Sequence, residues 1–299
     1  MLFVIRSFGE DLPPACRDTI PQTWSVFDNF LTKYGTEYDV AERANRVIRH
    51  GITFYGQNGR PVAGQILLKL MHLFEKSQIS SYLWICGKVV AEFGHEADEE
   101  LQTAILEVYQ RSTQAIIQIL LTKQPTEIPD RMFCYFELPP STNACIVLED
   151  YVHLMRMIME RTPSVFFTSP TFEMAFKSCI PILGVVYNSI VEVALDLFRD
   201  ILAEAYEPSA SVLPSQPSSS AIIQSAFQQS GMDLLNAVIQ GVVGDFYEEK
   251  TGVVVSILRS ATKVWPKEVI GALPAVLQSI PNTKAPADAK NGFLTEMTR

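Results

Sequence analysis

What most constrains the fold of this chain is a recurrence. Four segments of similar helical pattern begin at Val40, Ser80, Val147 and Ser189, and their starts lie 40, 67 and 42 residues apart. Each is the second of two amphipathic stretches joined by a short turn. Such a pair cannot bury its apolar faces alone; it must stack on a neighbouring pair. A period near 40 residues with two helices per unit is the signature of a HEAT-type solenoid, so the expected fold is all-α, a HEAT/armadillo-like superhelix of antiparallel helix pairs. A sheet-rich alternative lacks its usual punctuation. There are only 15 glycines, and Asn-Gly or Asp-Gly hairpin signals are scarce.

Helical period and turn residues predict helices over Trp24 to Tyr34, Val40 to Ile52, Val62 to Lys76, Ser80 to Phe93 and Asp98 to Lys123. After a loop rich in proline from Gln124 to Asn143, helices are expected over Val147 to Arg161, Thr171 to Tyr187 with a bend at Pro181, and Ser189 to Ala205. The Ser/Pro-rich run Glu207 to Ser220 reads as a linker. Helices over Ala221 to Val243, Glu248 to Lys263 and Lys267 to Ser279 then precede a polar tail. The expected organisation is a solenoid over 1–206, a linker over 207–220, C-terminal hairpins over 221–280 and a tail over 281–299.

The 33 acidic residues outnumber the 24 Lys and Arg, and the net charge of −9 disfavours direct binding to a nucleic-acid backbone. Cys16, Cys86, Cys134, Cys145 and Cys179 form no C-x-x-C pair and mostly sit among apolar residues, as buried thiols of a reducing compartment do. No run is long and apolar enough to span a bilayer, and the opening MLFVIRSFGEDLPP lacks the layout of a secretory signal. The expectation is a soluble intracellular protein without membrane insertion.

Motifs for catalysis are missing. His50, His72, His95 and His153 are scattered; His95-Glu96 begins like a zinc-protease helix, but Glu99 stands where the second histidine is required. The turn Gly56 to Pro61 lacks the Gly-Lys-Ser/Thr ending of a phosphate loop, and no G-x-S-x-G elbow occurs. No enzyme activity, cofactor or metal is expected. Glu96, Asp98, Glu99 and Glu100 read as charges opposing a helix macrodipole, Glu248 and Glu249 likewise, and Trp24, Trp84 and Trp265 as core anchors.

The exception to the acidic balance is VAERANRVIRHGI, starting at Val40. At about 100° per residue, Arg43, Arg46 and Arg49 share one side of a helix, while Val40, Ala44, Val47, Ile48 and Ile52 share the other. Planar guanidinium groups held in register match carboxylate or phosphate oxygens in pairs. The row therefore reads either as a binding surface for acidic or phosphorylated segments or as a solvated face. His50 and Arg60 can extend it.

Four stretches together resemble the C-terminal part of an importin-beta (karyopherin-beta) nuclear transport receptor, in the transportin-SR branch. They are VAERANRVIRHGITFYG, SSYLWICGKVVAEFG, VLEDYVHLMRMIMERTPSVFF and VEVALDLFRDILAEA. The resemblance covers about Trp24 to Glu207. It implies a superhelix of HEAT hairpins that carries protein cargo through the nuclear pore under control of the GTPase Ran, shuttling between nucleus and cytoplasm. It also implies that Arg43, Arg46 and Arg49 engage the phosphorylated Arg-Ser-rich tails of splicing factors. A further family arginine would fall at Thr53, where this chain departs. Because the family's main Ran-binding helices have no counterpart here, the resemblance implies a C-terminal piece, with Ran and nuclear pore proteins reached through a longer receptor. A related receptor with other basic cargo or an export role, and a HEAT scaffold subunit of a multiprotein complex, are the competing expectations.

Overall fold

The computed structural model describes residues 12–122, 144–185, 188–206, 218–244 and 250–298. Among them every regular element is helical. The loop expected over Gln124 to Asn143, most of the linker over 207–220, Cys134, and Glu248 and Glu249 lie outside the described residues. The described residues form two compact units, which part between Ser169 and Pro170.

The first unit opens with the short α1, Pro14–Arg17, and α2, Thr19–Tyr34. It continues with α3, Tyr38–Tyr55, α4, Arg60–Ser77, α5, Ser81–Phe93, and α6, Glu99–Thr122. Then come α7, Ala144–Arg161, and α8, Pro163–Thr168. Local chemistry sets the boundaries. Asp98 Oδ1 accepts the Leu101 amide at 2.9 Å and so caps the start of α6. The chain leaves α3 through Gly56 at φ +48°, a conformation glycine adopts at no steric cost.

Side-chain contacts reveal two layers. In one, Lys69 of α4 meets Asp28 and Thr32 of α2, and Arg111 of α6 meets Glu75 of α4 at 2.5 Å. In the other, Asn45 of α3 donates to Ser81 of α5 at 2.8 Å, and Gly87 of α5 faces Leu154 and Met157 of α7. Further contacts keep the same order along both partners, with Gly35 against Leu73, Gly64 against Ala104, Arg49 over Trp84 and Gly94 against Arg161, so helices are parallel within a layer. From α2 to α6, successive helices are joined by short turns and alternate between layers. The links from Lys69 to Thr32, Arg111 to Glu75 and Asn45 to Ser81 join residues 37, 36 and 36 apart, which is the physical repeat of an α-solenoid. Gly87 keeps the α5–α7 spacing small. A Cβ there would stand 3.8 Å from the Leu154 Cα, so a methyl fits and a longer side chain does not.

The second unit holds α9, Thr171–Cys179, α10, Asn188–Tyr206, α11, Ser219–Gly244, α12, Thr251–Val264, α13, Pro266–Ser279, and α14, Ala287–Thr298. It repeats the layering. Glu173 of α9 accepts from Ser225 and Gln229 of α11, and Ser279 of α13 bonds Asn236 of α11. Lys263 of α12 covers the Tyr206 ring of α10 at 4.1 Å. Trp265 stacks on Phe227 at 4.3 Å.

Three differences from the sequence reading have local causes. The helix expected from Thr171 to Tyr187 ends at Cys179 and gives way to a 3-10 turn over Pro181–Gly184, because the proline ring lacks an N–H for the helical ladder. The segment Pro163–Thr168 forms an unforeseen helix with its proline in the first turn, where a missing N–H costs nothing. The tail expected over 281–299 contains α14.

Candidate functional site

Helix α3 is amphipathic in three facets. Ala41, Ala44, Asn45, Ile48 and Ile52 are buried against the stack. Arg43, Arg46 and Arg49 are all exposed along one side, as their spacing predicts. Val47, expected on the packing side, is instead 38% exposed, and Val40 is half-buried. With Val26 and Phe30 of α2 they line an apolar recess of about 480 Å³ that has Arg43 at its edge. A single helix angle could not separate this third facet from the buried one.

No described carboxylate compensates the arginine row. Among the described residues, Arg43, Arg46 and Arg49 have no carboxylate within ion-pair distance, and Glu42 leaves Arg46 unpaired. The other basic residues foreseen nearby are used differently. His50 stacks on Phe54 with centroids 5.7 Å apart, and Arg60 begins α4. Thr53, where the resemblance implies a further arginine, returns its hydroxyl to the Arg49 carbonyl.

Trp84 differs from its sequence reading as a core anchor. Trp24 and Trp265 are buried at 8% and 2% exposure, but Trp84 is half-buried on α5. The Arg49 guanidinium carbon lies 5.6 Å from its ring centroid, and Lys88 Nζ, one turn along α5, lies 5.0 Å away. Cations over an indole are held by its quadrupole, worth about 0.5–1 kcal/mol at exposed sites. Lys88 is exposed and also lacks a carboxylate partner among the described residues. These two residues were hidden because SSYLWICGKVVAEFG reads as a mostly apolar helix; the signal was a tryptophan followed four positions later by lysine.

On α7, His153 continues the same layer. Burial lowers its pKa, Glu149 opposes the shift, and the positive charges of Arg156 and Lys88 add to it. Register between α3 and α5 is fixed by Asn45, whose amide donates to Ser81 while its buried Oδ1 has no hydrogen-bond partner among the described residues. Of the foreseen core thiols, Cys86, Cys145 and Cys179 are buried and Cys16 is half-buried. Burial pushes Cys86 and Cys179 up to about 12, which keeps them protonated and unreactive at neutral pH. No described helix is long and apolar enough to cross a membrane.

The arrangement offers planar guanidinium donors in register on one helix, suited to gripping anionic oxygens. Residues 14–120, which include α3 and α5, match the family described as the Transportin-3/Importin-13 fourth TPR domain. An uncharacterized protein of Schizosaccharomyces pombe is 20% identical over 283 residues, covering 92% of this chain, and the chain spans 28% of that relative's length. Over the helices that carry the arginine row, the chain is thus similar to the importin-beta-like karyopherins, a family of transport receptors.

Proposed function

We propose that this chain is the cargo-binding part of a nuclear import receptor. Arg43, Arg46 and Arg49 take up phosphorylated Arg-Ser-rich tails of proteins such as splicing factors, and no chemistry is performed on the cargo. The observation that carries this reading is the row of three exposed guanidinium groups without ion-pair partners among the described residues, set on α3 inside the segment similar to the Transportin-3/Importin-13 family. Isolated surface arginines are ordinary; three in register in an acidic chain are a local inversion of charge suited to an anionic partner.

Release follows affinity switching. Ran-GTP binds elsewhere on a longer receptor, and a change of solenoid curvature lowers cargo affinity. Nuclear pore proteins are met by the same longer receptor, which shuttles between cytoplasm and nucleus. The 299-residue chain alone is expected to bind Ran-GTP weakly or not at all.

The test is titration of the chain with an Arg-Ser-rich peptide in phosphorylated and unphosphorylated forms. Preference for the phosphorylated form, weakening steeply with salt, is the expected result, because exposed ionic contacts are screened over about 8–10 Å. Equal binding of both forms would favour a scaffold role or another cargo.

A further inference from the structure

Lys88 is a cation that the arginine row does not account for. It stands on α5, shares the Trp84 ring with Arg49 of α3, and has no carboxylate partner among the described residues. An exposed lysine normally keeps most of its rotamer freedom. Here one half-buried indole restrains two cations from two helices. The pairing of Asn45 with Ser81 fixes the register that brings them together.

We propose that Arg49 and Lys88, positioned by the Trp84 indole they share, form a second anion subsite that carries the arginine row from α3 onto α5. The ligand is then an extended acidic or phosphorylated segment bearing at least two anionic groups and crossing from one helix to the next. This rests on the reading of the arginine row as a binding surface. Neighbouring packed helices lie about 8–10 Å apart, and a peptide in the polyproline II conformation advances about 3.1 Å per residue and brings every third side chain to the same face. Phosphates three residues apart therefore reach both helices. Toward α7 the positive charge is offset: Glu149 acts on His153 against Lys88 and Arg156, and Arg156 pairs with Glu160 at 3.7 Å.

Trp84 is a positioning residue in this account, so its test needs more than loss of affinity. The 299-residue chain is titrated with two peptides, one carrying a single phosphoserine and one carrying two phosphoserines three residues apart, over a range of salt. Lys88→Ala and Trp84→Leu are expected to weaken the doubly phosphorylated peptide about 3- to 10-fold and the singly phosphorylated one less than about 2-fold. The salt dependence of the doubly phosphorylated complex should become shallower, since fewer phosphate contacts are made, while Lys88→Arg retains both affinity and slope. Trp84→Phe, which keeps an aromatic face, should fall between wild type and Trp84→Leu. The tryptophan emission change on binding should vanish in Trp84→Phe, because Trp24 and Trp265 are buried. Wild-type affinity and salt slope in both Lys88→Ala and Trp84→Leu would overturn the second subsite. If the double variant Arg43→Ala/Arg46→Ala still loses binding in that case, the arginine row stands without it; if that variant also binds normally, the row falls as well.

Discussion

The buried Tyr82 hydroxyl donates to the Gly35 carbonyl oxygen across 2.5 Å, tying α5 to the turn between α2 and α3. The two residues stand 47 positions apart. Gly35 has little room of its own: a Cβ there would meet the Leu31 carbonyl oxygen at 2.5 Å and Leu73 at 2.8 Å. The helix that carries the arginines is therefore anchored at its start by a close backbone approach and a buried hydrogen bond. Burial raises the Tyr82 phenol well above its ordinary range, so the donor proton is retained at any physiological pH.

Replacing Tyr82 by Phe leaves the Gly35 carbonyl without this donor. The expected cost is about 1–3 kcal/mol, seen as a lower urea midpoint with helicity before the transition unchanged. A midpoint equal to wild type would mean that the bond contributes nothing net.

Gly87 makes a size-dependent prediction. Gly87→Ala should be tolerated, since its methyl would sit at ordinary contact distance from Leu154 and Met157, whereas Gly87→Leu should cost about 1–3 kcal/mol by forcing α5 and α7 apart. Thermal unfolding of the two variants decides it, and equal losses would contradict the packing described.

Gln78 ends α4 in the left-handed region at φ +53°. It is exposed, so the side chain can be removed without opening a cavity. Gln78→Gly should therefore stabilise the chain by up to about 1 kcal/mol, the reverse of the usual effect of introducing glycine. A lowered melting temperature would show that the left-handed cap is not strained.

His153 supplies a pH dependence. Its folded pKa lies below the ordinary value of about 6.5, mainly through burial, so the unfolded chain binds that proton more readily. Stability therefore rises with pH between the lowered folded value and about 6.5; the contribution is complete above 6.5 and declines as pH falls through that window. His153→Gln should flatten this part of the curve of stability against pH. Parallel curves for wild type and variant would remove His153 from the account.

Much of the fold was legible because solenoid helices advertise themselves through period and caps. The boundaries of α3, α4 and α5 follow from apolar spacing, from Pro61 at the start of α4, and from Gly56 and Gly94 at helix ends. What the sequence concealed depends on contacts between repeats. Whether Val47 is covered depends on its neighbours across the layer, and single-helix periodicity assigns it to the same side as Ile48. The role of Trp84 was hidden for the same reason: its two cations come from α3 and from the next turn of α5, and only the stacking of α3 on α5 brings Arg49 within reach. Arg43, Arg46 and Arg49 were legible as a row because all three lie on one helix.

The central claim is tested most directly by replacing Arg43, Arg46 and Arg49 together with Ala and titrating wild type and variant with phosphorylated and unphosphorylated Arg-Ser peptide. None of the three is buried, so circular dichroism of the variant should match wild type. If each charge-assisted contact contributes about 1 kcal/mol at an exposed site, the triple change should cost roughly 2–4 kcal/mol, or about 30- to 1000-fold in affinity for the phosphorylated peptide. The unphosphorylated peptide should bind weakly to both proteins. Equal affinities across all four combinations would contradict the account and return the arginines to an ordinary solvated face.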